Sequence, residues 1–153
     1  MPEFLTKRRV RHAATEMFDL VADIEKYPRF VPLCSALKVR SRGKNDDGAT
    51  VVVADMTVAY KIIRETFTSR VTLDRDQLKI LVEYLNGPFK RMHNRWAFHP
   101  DSEQACEIEF FIEYEFKSRA LALLMGAMFD TAFRRFAVAF EKRADEIYGQ
   151  TKA

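Results

Sequence analysis

The stretch CEIEFFIEYEF, residues 106–116, alternates between apolar and acidic side chains. One set of positions carries Cys106, Ile108, Phe110, Ile112, Tyr114 and Phe116, and the other carries mostly Glu107, Glu109, Glu113 and Glu115. A period of two with one apolar and one charged face predicts a strand of an antiparallel sheet, packed on one side and solvated on the other. We therefore interpret the glutamates as surface charges and not as a catalytic pair of carboxylates.

A long helix is predicted directly after this strand, over residues 119–148, and Gly149 is well placed to end it. Its buried face is expected to contain Leu121, Leu124, Met128, Phe129, Phe136 and Phe140. Nearer the N-terminus, a strand is predicted over 3–11 and two short helices over 14–21 and 23–31. Further strands are predicted over 37–42, 51–62, 65–73, 78–85 and 92–99.

This order of elements indicates an α+β fold of the helix-grip class. In such a fold a curved antiparallel sheet, here of about six to seven strands, wraps around one long C-terminal helix, and two short helices follow the first strand. Since the sequence contains no repeat or linker, we expect a single domain over residues 1–153. A sheet that grips one helix often leaves a cavity, and the 13 phenylalanines suit either a dense core or a cavity wall.

Charge and hydropathy restrict the partners and the compartment. The net charge of +3 is mildly basic, whereas a dedicated nucleic-acid-binding protein usually carries a denser basic face. The longest apolar run, residues 120–129, is about half the length of a membrane span. With two widely separated cysteines and no secretory signal, the protein is expected in the cytoplasm, with peripheral contact at the inner face of the membrane as an open alternative.

The sequence lacks the common catalytic and metal-binding motifs. His12, His93 and His99 do not have zinc-ligand spacing, and there is no nucleophile elbow, phosphate-binding loop or dinucleotide fingerprint. We therefore expect no metal site, no required cofactor and no enzymatic activity.

Several segments resemble one known family. The stretch MFDLVADIEKYPRFVPLC over residues 17–34 is similar to the signature of the coenzyme Q-binding START-like family. The segments FTSRV at 67–71, GPFK at 87–90 with Trp96 following, and FEKRADEIYG at 140–149 resemble the same family in the same order. One departure is Leu33, because the family often has tryptophan before the cysteine; this removes an aromatic side chain from the expected cavity mouth.

The resemblance implies a carrier or chaperone of ubiquinone or a similar polyprenyl lipid that supports respiration. Two alternatives stay open. The first is a polyketide cyclase or aromatase, for which Glu65 with a tyrosine is the only candidate acid–base pair. The second is an interaction protein that binds the ribosome, for which the net charge gives little support.

The inward faces of the strands supply candidate ligand-binding residues. Hydroxyl and amide groups there could donate hydrogen bonds to the carbonyl oxygens of a quinone, and the aromatic and aliphatic side chains could enclose the tail. The predicted cavity residues are Tyr60, Phe67, Ser69, Tyr84, Asn94, Trp96, Phe98, Phe110, Ile112, Tyr114, Met128 and Phe129. Glu65 is also expected to face inward and would then need a partner, either Arg91 or Arg95, unless a bulge turns it outward.

A second set of residues is predicted at the mouth of the cavity. The segment 27–33 is apolar for a loop, and residues 120–129 are apolar around the whole helix. An exposed apolar patch marks either a membrane contact or a protein contact, and a dimer interface is the alternative to a bilayer here. The predicted mouth and membrane-contact residues are Tyr27, Pro28, Phe30, Val31, Pro32, Leu123 and Met125.

Overall fold

The computed structural model describes residues 3–149. Its seven antiparallel strands form one sheet in the order β1-β7-β6-β5-β4-β3-β2. The strands are β1 Glu3–Val10, β2 Cys34–Lys44, β3 Thr50–Tyr60, β4 Ile63–Asp74, β5 Lys79–Asn86, β6 Phe89–Ser102 and β7 Ala105–Phe116. The helices are α1 Ala14–Ala22, a 3₁₀ helix Ile24–Arg29 and α2 Arg119–Tyr148. The expected domain range also includes residues 1–2 and 150–153, which lie outside the described residues.

The β7 strand has the alternation that its sequence predicts. Its even-numbered positions from Cys106 to Phe116 are buried and the intervening ones are half-buried. On the outer face its glutamates meet cations, as where Glu115 accepts a hydrogen bond from Arg91 Nη2 over 2.9 Å. Burial on one face therefore fixes the register of β7 between β1 and β6, since a slip of one residue would bury the glutamates.

Four strands, β2, β4, β6 and β7, are longer than the predicted segments because the hairpins continue the pairing. The strand predicted over 37–42 extends over Cys34–Lys44, and the strand predicted over 92–99 extends over Phe89–Ser102. Register shifts interrupt β2, and one also lies between Thr68 and Ser69 on β4. Irregularities of this kind bend and twist a strand, which gives the sheet a concave face.

The long helix α2 covers the concave face and has the predicted bounds. Ser118 Oγ accepts a hydrogen bond from the Leu121 amide over 3.2 Å, and Gly149 with a φ of 79° ends the helix. The buried face consists of Met125, Phe129, Ala132, Phe133, Ala137, Phe140 and Ala144.

The predicted rotation of α2 was wrong in its first turns. Leu124, expected to face the sheet, is 61% exposed, whereas Met125 is fully buried. The helix rotation follows the spacing of Met125, Phe129, Phe133 and Phe140, which brings the larger rings against β7. Leu121, Met128 and Phe136 are half-buried at the edges of this face.

Candidate functional site

An apolar cavity lies between the concave face of the sheet and α2. Its volume is about 100 Å³. Strands β2 to β7, the 3₁₀ helix, the segment after it and α2 all contribute to the wall. The lining residues are Ile24, Tyr27, Val31, Leu37, Ala54, Met56, Val58, Phe67, Ser69, Val71, Ile80, Val82, Phe89, Met92, Asn94, Trp96, Ile112, Phe129, Phe133, Phe136 and Phe140.

The hydroxyl of Ser69 is the unusual polar group of this wall. Ser69 is 6% exposed, and its Oγ has no hydrogen-bond partner in the structure. It lies on β4 between Ala54 of β3 and Tyr84 of β5, but the Tyr84 hydroxyl already accepts a hydrogen bond from the Phe89 amide. A buried hydroxyl without a partner is costly, so a ligand atom or a water that accepts a hydrogen bond from it would be stabilised there.

Two further polar side chains reach the cavity, and both are anchored to the backbone. Asn94 Nδ2 donates to the Phe111 carbonyl oxygen over 2.8 Å, which uses one of the two hydrogens of that amide group. The Tyr27 hydroxyl donates to the Val21 carbonyl oxygen. Burial raises the pKa of Tyr27 well above its usual value, with smaller effects from Cys34 and Asp23. Tyr27 is therefore a neutral hydrogen-bonded wall residue.

Aromatic rings fix the shape of the cavity. Trp96 packs against Phe110 with ring centroids 4.6 Å apart and edge-on to Phe140 at 5.2 Å. Phe89 contacts the rings of Phe67 and Phe129 at 5.8 and 5.6 Å. Because these rings come from both the sheet and α2, the cavity wall and the core are one continuous cluster.

Half of the predicted cavity residues line this cavity. They are Phe67, Ser69, Asn94, Trp96, Ile112 and Phe129. Their contact with a ligand remains a prediction.

Four other predicted cavity residues lie on the inward face but not at the cavity. Phe98 packs between Phe18 of α1 and Trp96, because α1 covers that part of β6. Phe110 and Tyr114 pack directly against Phe133 of α2, and Tyr84 packs edge-on to Phe89. The inward face of a strand is longer than the cavity, so alternation alone includes residues that belong to the core.

The remaining two, Tyr60 and Met128, line a groove outside the cavity. Tyr60 ends β3 and is 45% exposed. The groove has a volume of about 540 Å³. Its lining residues are Pro32, Leu33, Tyr60, Lys61, Ile62, Ile63, Leu124, Ala127, Met128, Thr131, Ala132 and Arg135.

The predicted mouth residues divide into three groups. Tyr27 and Val31 belong to the cavity wall, and Phe30 packs on Tyr27 and Phe140. Pro28 is exposed, and Pro32 lines the groove. Leu123 is 87% exposed as a surface contact requires, but the prediction for Met125 was wrong because that side chain is fully buried under α2.

The sequence-based prediction missed some cavity-lining residues that the alternation of the strands could have identified. Ala54, Met56 and Val58 share the inward face of β3 and follow from its alternation. Phe136 follows from the predicted buried face of α2, whereas Phe133 follows only once the rotation of α2 is known.

The profile of a family described as polyketide cyclase / dehydrase and lipid transport matches residues 10–141. The chain belongs to this family. That range covers α1, the 3₁₀ helix, strands β2 to β7 and most of α2. All of the residues that line the cavity lie within the matched range.

Two relatives within the family carry different names. The ribosome association toxin RatA of Escherichia coli K12 is 33% identical over 148 residues, covering 97% of this chain and 90% of that protein. The mitochondrial coenzyme Q-binding protein COQ10 homolog B of Xenopus laevis is 28% identical over 153 residues, covering 97% of this chain and 60% of that protein. The resemblance stated from the sequence is confirmed.

Solved structures confirm the helix-grip fold. The 18 kDa protein CC1736 of Caulobacter crescentus is 33% identical with a TM-score of 0.78, covering 97% of this chain and 99% of that one. A START superfamily protein of Mycobacterium smegmatis has a TM-score of 0.77 at 16% identity, covering 95% and 98% of the two chains, and shows the fold alone.

Glu65 was the predicted acid–base residue for the cyclase or aromatase alternative. It faces Val58 across the β3–β4 pair and is half-buried, but it is not among the residues that line the cavity. The partners expected for it were wrong: Arg91 bonds to Glu115, and the Arg95 guanidinium lies 4.1 Å from the centre of the Phe111 ring. Both arginines occupy positions of β6 that face outward.

Residues 3–149 contain neither a candidate metal-binding cluster nor a helix that could span a membrane. Among these residues no three His, Cys, Asp or Glu side chains form a group that could hold a metal ion. No helix in this range is both long and apolar enough to cross a bilayer.

Proposed function

We propose that this chain binds a quinone-type lipid, with ubiquinone as the first candidate, and serves as its carrier or chaperone in support of respiratory electron transport. The observation that carries the proposal is an apolar cavity with one buried, unpartnered donor, the Ser69 hydroxyl. A quinone has the matching chemistry, because its flat ring suits aromatic walls and its carbonyl oxygens accept hydrogen bonds.

The remaining polar groups fit the same ligand. Asn94 keeps one amide hydrogen beyond the one it donates to Phe111, and its side chain belongs to the cavity wall. Trp96 offers a large apolar face in that wall. A ring ligand would therefore meet donors on β4 and β6 and aromatic surface around them.

A quinone ring would fit the cavity only after side chains of the wall move, and its tail would lie outside. The cavity of about 100 Å³ is smaller than the ~150 Å³ apolar cavity that is known to admit benzene. A substituted ring must then displace side chains such as the half-buried Phe136. A polyprenyl tail must leave the cavity, and the groove of about 540 Å³ runs beside it along α2.

The cavity wall favours binding over catalysis. Its polar side chains are Tyr27, Ser69 and Asn94, none of which carries a charge in its ordinary state. Catalysis by general acid and base requires groups that gain and lose protons near neutral pH. A carrier needs only shape and hydrogen bonds.

We place the protein in the cytoplasm, because its two cysteines are free thiols and buried. Such thiols are typical of a reducing compartment.

Native extraction tests the proposal. The protein is expressed in a quinone-producing bacterium, purified without detergent and extracted with organic solvent for mass spectrometry. A near-stoichiometric quinone is expected. An empty extract, together with no quenching of Trp96 fluorescence by a short-tailed ubiquinone, would contradict the proposal; Trp96 is the one tryptophan of the sequence, so the signal comes from the cavity wall.

A matched pair of variants locates the bound lipid. Ala54 lines the cavity, whereas Ala59 of the same strand faces outward. Ala54→Phe should remove the co-purified quinone because the ring fills the cavity, and Ala59→Phe should retain it. Far-ultraviolet circular dichroism verifies that both variants are folded.

The relatives named for ribosome association support a second candidate, an interaction with the ribosome. Sedimentation of the protein with ribosomes at low and high salt tests this candidate. Co-sedimentation that salt abolishes would favour it, since contacts with nucleic acid depend strongly on salt.

A further inference from the structure

We propose that one end of the molecule docks on an anionic lipid bilayer through an apolar rim formed by Tyr60, Ile62, Leu123 and Leu124. This inference rests on the proposed function, because it names the source from which the lipid ligand enters. Ile62 is 100% exposed at the turn between β3 and β4, and Leu123 is 87% exposed on α2. These are unusual positions for branched aliphatic side chains, which are ordinarily buried.

The rim comes from two separate parts of the chain that meet at the groove. Tyr60 and Ile62 line the groove from the β3–β4 hairpin, and Leu124 lines it from α2. Apolar residues that converge from separate elements form a patch and not a scatter of single side chains. Such a patch marks a contact with a membrane or another molecule.

The charge around the rim favours an anionic surface. Cations outnumber anions in both segments: residues 60–65 contain Lys61 and Arg64 against Glu65, and residues 117–130 contain Lys117 and Arg119 against Asp130, which is paired with Arg134. Glu115, which lies just before the second segment, is already paired with Arg91 and Lys90. Lysine and arginine are attracted to an anionic bilayer, whereas a second copy of this basic rim would repel the first.

The groove and the cavity are lined by neighbouring residues of the chain. Pro32, Met128 and Ala132 line the groove, and their chain neighbours Val31, Phe129 and Phe133 line the cavity. The wall between them includes Leu33, whose carbonyl oxygen accepts a hydrogen bond from the Ala59 amide over 2.9 Å. A lipid leaving the bilayer at the rim would thus reach the groove first and the cavity next.

Flotation with vesicles tests the docking surface. The vesicles contain phosphatidylcholine alone or with about one third phosphatidylglycerol. The variant Ile62→Glu/Leu123→Glu should lower binding to anionic vesicles about tenfold or more, since it removes two apolar contacts. The matched control Leu5→Glu/Val138→Glu changes exposed apolar residues on β1 and in the middle of α2 and should bind as the unaltered protein does.

A second variant tests the charge. Lys61→Glu/Arg64→Glu should abolish the preference for phosphatidylglycerol, and added salt should weaken the binding of the unaltered protein. Absence of flotation of the unaltered protein, or equal flotation of the rim variant and its control, would overturn the proposal. A dimer that the rim variant converts to a monomer, without vesicle binding, would also overturn it and assign the rim to contact between two copies.

The failure of docking and the failure of quinone binding can be distinguished. Quenching of Trp96 by a tail-less quinone is measured without vesicles, so it reports on ligand binding and not on docking. Quenching without flotation would reject the rim and keep the ligand. Flotation that depends on the rim, without quenching, would keep the rim and reject the quinone.

Discussion

His12 Nε2 lies 2.6 Å from Oδ1 of Asp145, which joins the residues before α1 to the last turns of α2. One turn earlier on α2, Glu141 accepts a hydrogen bond from Arg8 Nε of β1 over 2.7 Å. These contacts attach the C-terminal half of α2 to the first strand and its following loop. The first half of α2, which bears the apolar rim, is held on its buried face by Met125 and Phe129.

Removal of one partner of the buried contact should destabilise the fold. His12 is 3% exposed, so Asp145→Ala leaves its ring buried without the carboxylate and should lower the free energy of unfolding by about 1–3 kcal/mol. Asp101→Ala breaks the exposed pair with Arg9 and should change the free energy of unfolding by less than about 0.5 kcal/mol. Urea unfolding of both variants is the measurement, and equal midpoints would contradict the prediction.

Ser69→Ala should separate ligand binding from stability. The hydroxyl has no partner in the structure, so its loss should leave the free energy of unfolding of the ligand-free protein equal or higher. The affinity for a short-tailed ubiquinone should fall by about threefold to tenfold, the equivalent of one neutral hydrogen bond. Trp96 quenching measures the affinity, and Ser41→Ala on the exposed part of β2 is the control. An unchanged affinity would exclude Ser69 as the donor.

Gly87→Ala should displace Phe67, which lines the cavity. Gly87 has a φ of 148°, and a Cβ atom there would lie 2.5 Å from Phe67 Cβ and 2.9 Å from Phe67 Cα. Since the backbone of β4 cannot move aside without shifting Phe67, we expect a loss of stability above about 1 kcal/mol and weaker quinone binding. Gly43→Ala, where a Cβ meets no atom within 4 Å, is the control. Thermal unfolding would show the difference, and identical midpoints would be inconsistent with it.

The sequence was sufficient for the fold because one face of each long strand is buried. The β7 alternation predicted a strand within one residue of its observed start, and the caps Ser118 and Gly149 limit α2 to the predicted residues. The sequence did not predict the rotation of the first turns of α2. Residues 120–129 are apolar on all sides, so periodicity cannot distinguish the buried Met125 from the exposed Leu124.

The cavity was predicted only in part for a related reason. Alternation identifies which residues point inward, and so it found Ser69, Asn94 and Trp96. It gives no information on where α1 and α2 cover the sheet, which is why Phe98 and Tyr114 were assigned to the cavity although they pack against those helices. Such coverage depends on tertiary contacts between residues far apart in the chain.

The cysteines provide a test that depends on pH. Burial raises the pKa of both Cys34 and Cys106 from 9.0 to about 11. The folded state therefore holds these thiols protonated where the unfolded state releases the protons, so the free energy of unfolding should fall as the pH rises from about 9 to 11. The variant Cys34→Ala/Cys106→Ala should reduce this slope in urea unfolding at several pH values. At pH 8 the folded protein should also react with iodoacetamide about 100-fold more slowly than the unfolded chain.

The length of the lipid tail should matter through the groove. If the ring occupies the cavity of about 100 Å³, the first isoprene units must lie along the groove of about 540 Å³. Each unit adds apolar carbon, so affinity should rise by about tenfold or more from a tail-less quinone to one with a single isoprene unit. Ala127→Trp narrows the groove and should remove this gain without changing the affinity for the tail-less ring, whereas Ala122→Trp, on the exposed side of the same helix, should preserve it. Trp96 is no longer the only tryptophan in these variants, so calorimetry is the suitable measurement. If Ala127→Trp leaves the rise in affinity with tail length intact, the tail binds elsewhere, because the groove is then blocked while the tail still binds.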